Sequence, residues 1–190
     1  MKKYKLTNET IKYRGKNLYR IEAQIDFGNV KKGTRGGFIE KEENLSVSGN
    51  AWVSGNAKVC DDACVSGNAQ VCGGALVSGN AQVCGYAKVY GNAQVCGVAL
   101  VSGDAWVCGD ALVDKSINYA VIKGFGTCYR PTTFFRCKDK TVKVSCGCFL
   151  GTIDEFRNQV KNTREGKIAK EYLMIADLME LHFSKDWYDD

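Results

Sequence analysis

His182 is the only histidine in the 190-residue sequence. Imidazole is the commonest general base, and the zinc centres that activate water use several nitrogen or sulfur ligands. One imidazole meets neither need, so no catalytic residue is assigned, and His182 reads as a core or rim side chain on a C-terminal helix. Ten cysteines offer a second chemistry. Cys128, Cys137, Cys146 and Cys148 could hold zinc, but none forms a Cys-x-x-Cys pair. By strand alternation, Phe135, Cys137, Val142, Val144, Cys146 and Cys148 share one hairpin face, where a thiol serves as a small hydrophobe. No metal or other cofactor is expected. The remaining candidates are aromatic and cationic: Trp52, Tyr86, Lys88, Tyr90 and Trp106. Outward aromatics beside an ammonium suit recognition, so these five residues form the predicted contact surface for a protein partner or small anionic ligand. The competing expectation is that a terminal segment packs on them.

The elements that must position those side chains repeat every six residues. Valine recurs at each sixth position from 47 to 113 and alanine at each sixth from 51 to 111, with Gly-Asn or a close variant at most corners. A short fixed period with punctuating glycines predicts a parallel β-helix. Side chains alternate across a strand, so alanine and valine point inward. With three hexads to a coil, Trp52, Gln70, Lys88 and Trp106 stack on one outer wall beside Ser54, Cys72, Tyr90 and Cys108. Wall cysteines fall two coils apart, roughly 10 Å, beyond disulfide reach. The residue before each alanine is expected in the left-handed region, which Asn, Asp and Gly tolerate. Tyr86 and Val98 would then be strained.

Residues 1–44 read as a β cap, with a hairpin over 4–27 turning at Arg14–Asn17 and a glycine-bearing loop over 28–44. Such a cap covers the unpaired backbone groups of a helix end. Residues 45–114 form the repeat, just under four coils. Residues 115–190 read as a small α+β region, with a strand over 119–122, a hairpin over 133–148 and two helices. The first helix starts at the capping box Thr152-Ile153-Asp154-Glu155. The second, from about Lys167 to Phe183, has an apolar stripe wide enough to bury two faces, one of them against another chain.

The unit Val-x-Gly-Asn-Ala-x resembles the hexapeptide repeat of left-handed β-helix proteins, which implies a left-handed winding. Right-handed helices of the bactofilin type are the alternative. Many hexapeptide proteins are acyltransferases with a histidine beside the coils, a requirement that a lone helical His182 serves poorly. Over its whole length the chain resembles a family of phage and prophage proteins. These join Tyr-Gly-Asn-Ala-x-Val repeats to a tail matched here by Cys146-Gly147-Cys148-Phe149-Leu150-Gly151-Thr152-Ile153-Asp154-Glu155-Phe156. The stretches Asp26–Gly33 and Gly37–Leu45 are also similar to theirs. Thr163-Arg164-Glu165-Gly166 departs from the Thr-His-Gly pattern common at that point. The resemblance implies a non-catalytic accessory binding protein that antagonises host defence through a defence protein or its nucleotide signal. The polymer-forming label such proteins carry implies instead a self-assembling scaffold, and acyl transfer is the third possibility.

Charge is uneven around a net +5. Residues 1–44 balance to +5, residues 45–114 to −3 and residues 115–190 to +3. Without a dense basic stripe, nucleic acid is not expected as a partner. No apolar run approaches a membrane span, and the basic N-terminus lacks the apolar stretch of a secretory signal. The expectation is a cytoplasmic homo-oligomer with free thiols.

Overall fold

The computed structural model describes residues 2–184. At its centre stand eleven two-residue rungs, β4 (Trp52–Val53) through β14 (Leu112–Val113), one in each hexad. Each pairs in parallel with the rung eighteen residues away, so that Trp52, Gln70, Lys88 and Trp106 lie in register. The protein is therefore a parallel β-helix with three-hexad coils, and the outer walls are those the period predicts. Alanines 51–111 and valines 53–113 are at most 1 % exposed. Burying each valine contributes about 1.5–3 kcal/mol, repeated along the column.

The corners differ from expectation. Positive φ falls on the glycine two residues before alanine, as at Gly85 (+68°), and not on the residue before alanine. Tyr86 and Val98 are consequently unstrained. At one corner Asp61 takes the glycine place with φ +60°. Glycine is demanded there twice over, because a Cβ on Gly85 would also lie 2.9 Å from the Gly103 nitrogen in the next coil.

The N-terminal segment comprises the antiparallel pair β1 (Tyr4–Tyr13) and β2 (Lys16–Ala23), followed by β3 (Arg35–Ile39). Sequence reasoning places Gly36 and Gly37 in a loop, yet both lie in β3. This strand joins the solenoid directly, pairing Phe38 with Lys58 and Ile39 with Val59 in parallel. A Cβ on Gly36 would meet Trp52 Cζ2 at 2.7 Å, and one on Gly37 would meet Val53 Cγ1 at 2.8 Å. The glycines thus serve close approach to the first coil. Val47, expected inside, is 56 % exposed, and Leu45 takes the inward place by bridging to Val65. The Tyr4 hydroxyl donates to the Leu45 carbonyl (2.7 Å), while Asn44 Nδ2 donates to the carbonyls of Asp61 and Ala63. Those bonds bring the chain into its coil two residues early. Ile11, Tyr13 and Leu18 of the hairpin also lean on a wall of the prism, covering Cys60 and Leu76.

The C-terminal region is an antiparallel sheet of β15 (Tyr119–Ile122), β16 (Thr132–Arg136), β17 (Val142–Cys146) and β18 (Phe149–Thr152). It carries α1 (Ile153–Thr163) and α2 (Gly166–His182). Thr152 caps α1, accepting from the Glu155 N–H at 3.2 Å. The fourth strand was not expected; the chain reverses at Gly147 (φ +61°) and pairs back on β17. The expected shared face of Phe135, Cys137, Val142 and Val144 is also corrected. Phe134 opposes Val144, and Phe135 opposes Lys143. Phe135 and Cys137 join the solenoid core, whereas Phe134 and Val144 pack with the helices. The strand is buried on both sides because it lies between the prism and α1–α2. On α2, Met174, Leu178 and Leu181 are 70 %, 55 % and 64 % exposed. Among the described residues no helix is long and apolar enough to cross a membrane.

Candidate functional site

The wall that stacks Trp52, Gln70, Lys88 and Trp106 forms the floor of a groove of about 680 Å³. One end is closed by Gly28–Val30 from the N-terminal segment and the other by Pro131 from the C-terminal region. The two tryptophans stand three inter-strand spacings apart, roughly 14 Å. Trp52 is only 6 % exposed, because the Phe27 ring meets it edge-on with centroids 5.4 Å apart. It is a wall of the groove, not a free contact. Trp106 is half-buried, and the Lys88 ammonium lies 4.7 Å from its ring centroid. Tyr86 stands at the rim, 64 % exposed.

Lys88 pairs with no carboxylate among the described residues, whereas the neighbouring Asp104 is engaged by Lys123 at 2.6 Å. Lining the same groove are amides, Asn50, Asn68 and Gln70, with Asn50 Nδ2 donating to Asn68 Oδ1 at 2.9 Å. The groove therefore presents one cation on an aromatic face with amide donors beside it. This suits a planar group bearing negative charge.

Tyr90 is the predicted site residue that does not line the groove. It shares the wall with Lys88 but packs, partly buried, against the solenoid core, with Cys108 and Ser145 near its hydroxyl. Burial pushes its hydroxyl pKa up to about 12. Of the five predicted residues, Trp52 is covered by Phe27, Tyr90 lies outside the groove, and Tyr86, Lys88 and Trp106 line it. Sequence reasoning missed Asn50, Asn68 and Gly28–Val30. The asparagines looked like corner residues, and the loop gave no sign of where it would land.

Cys137 lies in the solenoid core, while Cys128, Cys146 and Cys148 line a separate cleft in the C-terminal region. The four do not gather as a ligand set. Among the described residues, the one group of three ligand atoms close enough for a metal is Glu40, Cys60 and Asp61. There the Lys16 ammonium reaches Glu40 Oε2 at 3.0 Å and Asp61 Oδ1 at 2.6 Å. An amine already fills the position a cation would take. His182 packs edge-on against the Phe183 ring, centroids 4.8 Å apart, and its Nε2 is buried without a partner among the described residues. It lines neither the groove nor the C-terminal cleft.

A family model, the YdcK beta solenoid repeat, matches residues 69–85. This chain is a β-solenoid repeat protein. The matched residues run from Ala69 and Gln70 through the Gly85 corner, one stretch of the coils and neither terminal region. Comparison with curated proteins returns no match.

Proposed function

We propose that this protein is a non-catalytic binding protein whose ligand lies in the groove between Trp52 and Trp106. The observation that carries the reading is Lys88, an ammonium without a carboxylate partner among the described residues, seated over an accessible tryptophan in a 680 Å³ groove. Of the two partners implied by the resemblance to phage and prophage proteins, a nucleotide signal fits this chemistry better than a defence protein. A planar base suits the aromatic wall, and a phosphate suits Lys88. Sequestering such a signal would antagonise host defence without turnover. The covered ends of the solenoid count against the scaffold reading, which requires coils free to stack on another copy.

The test is a fluorescence titration with purine mononucleotides and cyclic dinucleotides, read from tryptophan emission and repeated by calorimetry. Saturable binding should be lost in Trp106→Ala and weakened about tenfold in Lys88→Gln. Melting temperatures should be unchanged. No binding of any of these nucleotides at millimolar concentration would overturn the nucleotide assignment.

A further inference from the structure

A second concavity lies about the C-terminal sheet and belongs to no site described above. It is a cleft of about 200 Å³ among the loop before β16, the β17–β18 turn and the end of α1. Its inner wall is apolar and aromatic, with Phe149, Phe156 and Val160. Phe156 stands edge-on to Tyr172, with centroids 5.7 Å apart, and 5.6 Å from Phe149. The charged residues lining the cleft are Arg130 and Arg164, both exposed. Neither has a carboxylate partner among the described residues, and no acid lines the cleft. Arg157, by contrast, is held by Asp154, Asp177 and Glu180. Gly147 leaves room for Arg130, since a Cβ there would lie 3.2 Å from Arg130 Nη1.

We propose that this cleft binds a phosphorylated aromatic group, with the ring against Phe149 and Phe156 and the phosphate held by Arg130 and Arg164. The volume sets the size, because a cavity of about 150 Å³ accommodates benzene. Aromatic walls favour a ring at offset or edge-on geometry. Two guanidinium groups with no acid beside them match a phosphate dianion better than a carboxylate, and their planar forks suit phosphate oxygens. This assignment stands apart from the groove reading, since the cleft and the Lys88 groove share no lining residue, although Arg130, Gly147 and Cys148 border a smaller concavity together with Trp106.

Phenyl phosphate is the probe, titrated by calorimetry and by amide chemical shifts on the full chain. Binding should be saturable at one site and move the amides of Gly147 and Arg164. Arg130→Gln and Arg164→Gln should each weaken it about tenfold, and the double variant should abolish it with melting temperature retained. Inorganic phosphate, phenol and benzoate should all bind more weakly. Lys88→Gln should leave the affinity unchanged, which separates failure here from failure of the groove. Absence of binding at millimolar concentration, or binding unaltered in the double variant, would overturn the site. Benzoate binding as tightly as phenyl phosphate would overturn the phosphate assignment, and inorganic phosphate binding as tightly would overturn the ring.

Discussion

Asp61 shows how one substitution in a repeat changes what a corner does. At φ +60° it sits where the other coils place glycine, a conformation that costs an L-residue about 1–2 kcal/mol. Its carboxylate reaches the Gly79 N–H at 2.9 Å and the Lys16 ammonium at 2.6 Å, so the strained corner ties the N-terminal hairpin to two successive coils. Asp61→Ala should lower the melting temperature more than Asp61→Gly, because alanine keeps the strain and loses the bonds. The Lys16 hydrogen bond, with the Gly79 N–H behind it, holds the carboxyl below its usual range. A depressed pKa means that the folded state favours the anion. Its stabilisation is present above the unfolded value of about 3.9 and is lost as pH falls through the folded one. The melting difference between the unsubstituted protein and Asp61→Gly should therefore shrink below about pH 4. A difference constant from pH 7 to pH 3 would show that Lys16 contributes nothing through charge. The corner at Gly85–Tyr86 gives a companion test. Gly85→Ala should cost about 1–2 kcal/mol from φ alone, and Tyr86→Asn close to none, both read from denaturant midpoints.

At the level of the rung, stability is a column of identical small contributions, each dependent on the coil above and below. Val83 is fully buried and pairs with Val65 and Val101. Aspartate in its place would put an unpaired charge in a wholly aliphatic stack, at a cost of several kcal/mol. Loss of the cooperative β-sheet transition in circular dichroism is the expected outcome for Val83→Asp. A melt indistinguishable from that of the unsubstituted protein would contradict the inward assignment. The wall rungs behave differently although they share the period. Tyr90→Ala should destabilise the fold because it removes a side chain packed under the C-terminal sheet, whereas Trp106→Ala should leave the melting temperature nearly unchanged.

Across the whole molecule, the direction of the coil sets the chemistry of each cap. Each rung from β4 to β11 donates an N–H to a carbonyl in the next coil, as Trp52 does to Ala69 and Gln70 to Ala87. The first coil is left with carbonyls and the last with N–H groups. Donors cover the first: Lys3 Nζ reaches the Ala51 carbonyl at 2.9 Å, and Asn44 covers Asp61 and Ala63. Burial pushes the Lys3 pKa down to about 8. Acceptors cover the other end, where the hydroxyl oxygens of Ser116, Tyr119 and Thr133 take the N–H groups of Leu100, Ser102 and Trp106. Thr133→Val keeps the shape but strands the Trp106 N–H, and should cost about 1–3 kcal/mol in equilibrium unfolding. Exchange of the Trp106 amide should become faster in the same variant.

The sequence by itself determined the prism. A side chain's direction within a hexad is a local backbone property, and eighteen-residue stacking follows from repeating it, so the valine column, the alanine column and the order Trp52, Gln70, Lys88, Trp106 were legible without coordinates. Even the α1 cap at Thr152 could be read, because its partner Glu155 is three residues away. The left-handed glycine was misplaced by one residue, since Gly-Asn offers two tolerant types in succession and the choice depends on the coil beneath. Which part of the wall stays open was decided only in the tertiary structure. Tyr90 and Trp106 point outward alike, yet only Trp106 lines the groove, while Ser145 comes beside Tyr90 from far along the chain. Phe27 likewise reaches Trp52, and Arg130 and Arg164 come to line one cleft. Such contacts join segments outside the repeat, where no period carries the information.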